Sequence, residues 1–132
     1  MFLDASAIVA MMTDEEDAVL LAPRLDRAET RLTSAVAIYE TTAALARLKG
    51  RGVADAASAV FEFLERQRIT VVAIAPEVGP LAIDAFARYG KDQGHTAQLN
   101  MGDCFAYACA RYFGEPLLFK GADFSRTDIE AA

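Results

Sequence analysis

Histidine occurs once in this chain of 132 residues and cysteine twice, too few nitrogen and sulfur ligands for the four-ligand sites that hold structural zinc. The two cysteines, Cys104 and Cys109, lie on one predicted helix about 140° apart around its axis. That geometry suits neither a disulfide nor joint ligation of a metal, and reduced core residues are the expectation. Positive charge is scarce too: 13 lysines and arginines face 19 acids, for a net charge of -6. A basic footprint, the usual mark of a nucleic-acid binder, is missing, and a polyanionic partner would need cations from elsewhere. Long apolar runs are also lacking. "ASAIVAMM" and "TVVAIA" fall far short of the roughly 20 residues that cross a bilayer. "MFLDASAIVAMM" has no basic start and carries Asp4 ahead of its apolar run, unlike a secretion signal. A soluble, cytoplasmic protein is expected.

What the chain does have is apolar material, 54% of its residues, enough for the core of one domain spanning 1–132. "MFLD" reads as a short buried strand feeding a helix, "ASAIVAMMT", capped by Asp4 or Ser6. A second helix is predicted over "TDEEDAVLLAPRLDRAE", capped by Thr13 or Asp14 and interrupted or offset at Pro23. "RLTS" follows as a strand, with Ser34 as the cap of "AVAIYETTAALARLKG", which stops at Gly50. "VADAASAVFEFLERQ" is an amphipathic helix and "ITVVAIA" the clearest strand, bounded by Pro76. A helix from Glu77 to Tyr89, the polar loop "KDQGHTAQLNMG", a helix headed by Asp103, the strand "PLLF" and a small edge strand at Asp128 and Ile129 complete the chain. Strands that alternate with helices imply an α/β fold of three layers, a small parallel sheet flanked by helices.

Four acids occupy unusual places. In an open parallel sheet, sites form beyond the carboxyl ends of the strands. Asp4 closes the first strand, Asp123 follows "PLLF", and Asp103 begins a helix near the same edge. Glu40 has Val36, Ala37, Ala43 and Ala44 as its helical neighbours, so it lies on the face that packs inward. A buried carboxylate needs a positive partner. Lys120 and Arg47 are the nearest in sequence and are too few for four acids. A divalent ion fits better, and an all-oxygen donor set selects Mg²⁺ or Mn²⁺. Ser6 is placed to add a hydroxyl or to steady a bound water. Such clusters activate water and neutralise charge on a phosphodiester, which would also give an acidic protein its hold on a polyanion.

Each acid has a plainer reading. Asp4 and Asp103 suit helix caps, and Asp123 suits a turn after glycine. His95 is expected to brace its loop rather than act as a base. Lys91, His95 and Asn100 in that loop are candidate nucleic-acid contacts, as are Arg47, Lys49 and Arg51, with a solvated surface as the plainer reading for each. Phe105, Tyr107, Tyr112 and Phe113 are expected in the core or at a dimer contact rather than as a base-stacking platform.

Taken together, "DAS" at the start, "YE" in a helix after a short strand, "LNMGDCFAYACA" late in the chain and "PLLFKGADFSRTDI" at its end resemble the PIN-domain ribonucleases. Within them the chain is most similar to the VapC-type toxins of bacterial toxin–antitoxin pairs, over its whole length. The resemblance implies a PIN-like domain with Asp4, Glu40, Asp103 and Asp123 as metal-binding carboxylates, Ser6 as accessory hydroxyl, and Asp128 as a fifth candidate in the closing turn. It further implies a homodimer, an endoribonuclease using Mg²⁺ or Mn²⁺, and a small antitoxin whose tail covers the site. Two alternatives remain at this stage: a PIN domain that binds metal or partner without catalysis, and a phosphoacceptor receiver domain. The receiver expects an aspartate at the end of a central strand, whereas "VVAIAPE" has none.

Overall fold

The computed structural model describes residues 1–48, 50 and 52–132. Lys49 and Arg51, two of the candidate RNA contacts, lie outside the described residues. Four short parallel strands form the middle layer: β1 (Phe2–Leu3), β2 (Leu32–Ser34), β3 (Thr70–Val72) and β4 (Leu117–Leu118), in the spatial order β3-β2-β1-β4. The helices are α1 (Ala5–Met12), α2 (Ala18–Arg27), α3 (Ala35–Leu48), α4 (Val53–Arg66), α5 (Val78–Tyr89) and α6 (Met101–Phe113).

Alternation of side chains along a strand explains how so small a sheet organises two cores. Phe2 and its register partner Leu117 face one side, where they meet Val78, Tyr89, Leu99 and Tyr107 of the α5/α6 layer. Leu3 and Leu118 face the other, against Ile8, Leu25, Leu45 and Val60 of the α1–α4 layer. All four strand residues are essentially without solvent exposure. The three-layer α/β architecture expected from the sequence is therefore the observed one. Chain order runs outward from β1 through β2 to β3, then returns to place β4 on the other flank of β1. This reversal puts a crevice beyond the carboxyl ends of β1 and β4.

The local expectations fail in four places. α2 begins at Ala18, because Thr13 is already used to close α1: its backbone N–H and its hydroxyl both donate to the Val9 carbonyl, at 2.9 and 2.8 Å. Asp14 follows in the left-handed region, so neither residue caps α2. Pro23 does not interrupt α2; it sits inside it, exposed, at the cost of the one bond that Val19's carbonyl would receive. β3 is three residues long, not seven, because its only neighbour β2 turns into α3 after Ser34, which pairs with Val72. No edge strand forms at Asp128 and Ile129. There the Ile129 N–H donates to Thr127 Oγ1, a side-chain bond that replaces a ladder bond, and Ala131 alone makes a bridge to Leu117.

The cysteines are free and buried, as expected. The polar loop after α5 is pinned at its base by the Gly90–Leu99 bridge, with Lys91 N–H donating to Leu99 and Leu99 N–H to Tyr89. His95 braces it: its Nδ1 accepts from the Ala97 N–H at 3.0 Å and its ring lies edge-on to Tyr89.

Restoring the missing bond of α2 should stabilise the protein. Pro23→Ala is expected to raise the free energy of unfolding by about 1–2 kcal/mol, the interior-proline penalty less the extra freedom given to the unfolded chain. Urea unfolding measures this, and a destabilised variant would mean that the ring is needed for packing.

Candidate active site

Asp4 is the N-cap of α1 and is only 2% exposed. Its Oδ2 accepts from the Ser6 N–H at 2.9 Å and from the Ser6 hydroxyl at 2.5 Å. Ser6 Oγ in turn accepts from the Lys120 backbone N–H at 3.0 Å, just beyond β4. One relay thus fixes the Asp4 carboxyl from both flanking strands, and both sequence readings of Asp4, cap and site residue, apply to the same side chain. Burial raises its pKa, against the lowering effect of the Ser6 bonds.

Asp103 also serves two purposes. The helix head is Asn100, not Asp103: Asn100 Oδ1 accepts from the Asp103 N–H, and Asp103 Oδ2 accepts from the Asn100 N–H, both at 2.9 Å. This reciprocal capping box was visible in the sequence as Asn-x-x-Asp. It holds the Asp103 carboxyl through one oxygen at the mouth of the crevice. Its pKa is pushed up to about 6 by burial first, with the Asn100 bond opposing and the charges of Asp4 and Asp123 adding.

Glu40 projects from the middle of α3, half-buried, and its pKa is pushed to about 7 by burial and then by the negative charges of Asp4 and Asp103. Asp4, Ser6, Glu40, Asn100 and Asp103 line a single open cleft of about 340 Å³, together with Glu15, Arg47 and Lys120. The positive partner expected for Glu40 is neither of the two cations. Lys120 is ion-paired on the rim with Glu15 and with Asp17, the latter at 3.5 Å, and among the described residues Arg47 pairs with no carboxylate. Three acids with raised pKa values therefore line one cleft, and among the described residues none of the three is ion-paired.

Asp123 stands apart. It is about half exposed, starts the 3-10 turn Phe124–Arg126, lies 4.0 Å from Arg126 and acts on Asp103 only through its charge. Asp128 belongs to another network. Tyr107 Oη donates to its Oδ1 at 2.5 Å and Arg88 to its Oδ2 at 2.9 Å, and these bonds hold its pKa down to about 2. Both of its oxygens are thus engaged away from the cleft. Lys91 and His95 do not line the cleft, whereas Asn100 does. Glu15 on the rim carried no signal in the sequence.

The donor chemistry fits a hard divalent ion. Among the described residues no three acid, histidine or cysteine side chains form a ready-made cage. Mg²⁺ needs none, since it keeps several waters and takes one or two carboxylates directly. Closely placed carboxylates without a counter-charge are the electrostatic complement of such an ion.

Comparison with known proteins identifies the family. The PIN domain family matches residues 1–130. A VapC ribonuclease of Rhizobium meliloti is 41% identical over 97% of this chain and 98% of its own length. Ribonuclease VapC42 of Mycobacterium tuberculosis is 38% identical over 100% of this chain and 98% of its own. Among solved structures, Mycobacterium tuberculosis VapC20, described as a sarcin-ricin loop cleaving toxin, superposes with a TM-score of 0.75 at 19% identity, covering 99% of this chain and 97% of that one. That likeness concerns the fold.

Two pH experiments separate the acids. An acid whose folded pKa is raised stabilises below its unfolded value and loses that contribution as pH rises through the folded one. In EDTA, stability should therefore fall as pH climbs from about 4.5 to about 7, the ordinary and folded values of Glu40. Glu40→Gln should flatten this slope and exceed the parent at neutral pH; parallel profiles would show that Glu40 is not repelled by its neighbours. Asp128 has the opposite sign. Its lowered pKa stabilises above 3.8 and is lost as pH falls toward about 2. Asp128→Asn should cost about 1 kcal/mol or less at neutral pH, given solvent screening, converge with the parent in acid, and leave any metal response intact. Loss of that response would return Asp128 to the site.

Proposed function

Because the chain belongs to the PIN-domain family, among the VapC ribonucleases, we propose that it is the endoribonuclease toxin of a toxin–antitoxin pair, hydrolysing RNA phosphodiester bonds with Mg²⁺ or Mn²⁺. Family membership sets aside the receiver-domain alternative. The observation that carries the metal reading is the meeting of Asp4, Glu40 and Asp103 in one cleft with raised pKa values and no paired cation. These three would hold the ion, directly or through its waters, with Asp123, which lies outside the cleft lining, as the fourth acid of the set.

When bound, such an ion supplies charge neutralisation at the phosphodiester and lowers the pKa of a water molecule. The chain's own residues do the rest. Ser6, fixed by the Lys120 backbone, orients the Asp4 carboxyl. The Asn100–Asp103 box orients Asp103 at the opposite wall. Arg47 and Lys120 line the same cleft, and Arg47, which pairs with no carboxylate among the described residues, is the cation free to meet an RNA phosphate there. No histidine base is needed.

The partners follow the same reading. RNA is the substrate, a small antitoxin is the inhibitor whose tail covers the cleft, and a second copy of the chain is the dimer partner. The dimer reading is supported by an apolar groove between α5 and α6, where Ile83, Phe86 and Met101 are exposed beside Ala82, Cys104 and Phe105. Among the described residues no helix is long and apolar enough to cross a membrane; a cytoplasmic location is part of the proposal.

The purified protein should cleave single-stranded or looped RNA with Mg²⁺ or Mn²⁺ and stop on addition of EDTA. Asp4→Asn should lower the rate by about 10²-fold or more, the scale of a transition-state electrostatic stabiliser, and should relieve growth arrest on expression. Cleavage that survives chelation would overturn the metal mechanism. A folded, metal-binding protein that cleaves no RNA would favour the non-catalytic PIN domain.

A further inference from the structure

Gly102 is the second residue of α6 and is buried. Its backbone does not require glycine, since it is absent from the glycines with positive φ, which are Gly50, Gly94, Gly114 and Gly121. Inside a helix, glycine is the least favourable residue after proline, so a different constraint keeps the position bare. A Cβ added at residue 102 would meet the carboxyl group of Glu40, with Oε1, Oε2 and Cδ as its three nearest atoms, all far inside van der Waals separation. No backbone atom of a neighbouring helix stands among those three. The space that glycine leaves is therefore filled by a carboxylate and not by helix packing.

The position of that space matters. Gly102 directly precedes Asp103, and the Glu40 carboxyl is in electrostatic contact with both Asp103 and Asp4. Glu40 reaches this place from α3, a separate helix, so its side chain must lie against the first turn of α6 to join the other two acids. We propose that Gly102 is a positioning residue whose missing side chain is the seat of the Glu40 carboxyl group, holding it beside Asp103 and Asp4. The inference rests on the reading above that Glu40 is a metal-binding acid, and it assigns that arrangement to a buried residue that does not line the cleft.

Four proteins test it: the parent, Gly102→Ala, Glu40→Ala and the double variant, each measured by metal-free thermal melting and by calorimetric titration with Mn²⁺. Gly102→Ala should weaken Mn²⁺ binding about tenfold or more, the scale on which misplaced ligand orientation acts. In the Glu40→Ala background the same change should cost no further affinity. Metal-free, alanine at residue 102 should be worse tolerated in the parent than in the Glu40→Ala background by several degrees in Tm, since only the parent has a carboxyl to displace. In the Glu40→Ala background, alanine should leave Tm unchanged or raise it by up to about 4 °C through helix propensity. If Gly102→Ala fails to fold, the double variant should fold. Parental Mn²⁺ affinity in Gly102→Ala, an equal change in both backgrounds, or a double variant that also fails to fold would overturn the proposal. A parent that binds no Mn²⁺ would instead overturn the metal reading, while the melting comparison would still judge Gly102.

Discussion

A carboxylate withdrawn from water is costly unless hydrogen bonds or charge compensate it, and the end of β1 is where this chain accepts that cost. Asp4 is all but fully buried, and its compensation comes from Ser6, which is itself held by the backbone just after β4. The relay ties the amino end of the chain to a segment more than a hundred residues later. It works only if β1 and β4 are neighbours in register, as the Phe2–Leu117 and Leu3–Leu118 pairs make them. Asp4 thus closes a strand, caps a helix and forms the floor of the cleft at once.

The other acids are brought in by the two helical layers that β1 separates. Glu40 comes from α3 on the Leu3 side and Asp103 from α6 on the Phe2 side. Each layer has its own apolar core, and acids from both meet beyond the carboxyl end of β1. Burial first, and then the charges of neighbouring acids, raises the pKa of Glu40 to about 7 and of Asp103 to about 6. The metal-free protein therefore stores unfavourable charge in its cleft. A divalent ion bound as proposed would turn that cost into binding energy, since what binds the folded chain alone also stabilises it.

Much of this was legible before any coordinates. Apolar alternation and length gave the strands and helices in order, and Glu40 was recognisable because small apolar neighbours left it no solvent-facing side. Less legible were the features that depend on competition between partners. Thr13 could cap α2 or close α1, and the Val9 carbonyl decided it. The strand expected at Asp128 and Ile129 lost its donor to Thr127, and β3 ended where its neighbour stopped. Asp123 was favoured as the fourth acid with Asp128 as a fifth candidate from the same closing turn, and the structure engages both Asp128 oxygens with Tyr107 and Arg88.

By itself the sequence determined the fold class and marked the candidate acids, because both follow from local pattern: periodicity, capping residues, and carboxylates in otherwise apolar settings. The tertiary structure alone decided which acids share a cleft, that the nearby Lys120 is tied to Glu15 and Asp17 on the rim, and that Gly102 makes room for Glu40. The physical reason is range. Propensity and periodicity act over a few residues and are written along the chain, whereas Coulomb repulsion, burial and steric exclusion act between segments whose separation only packing fixes.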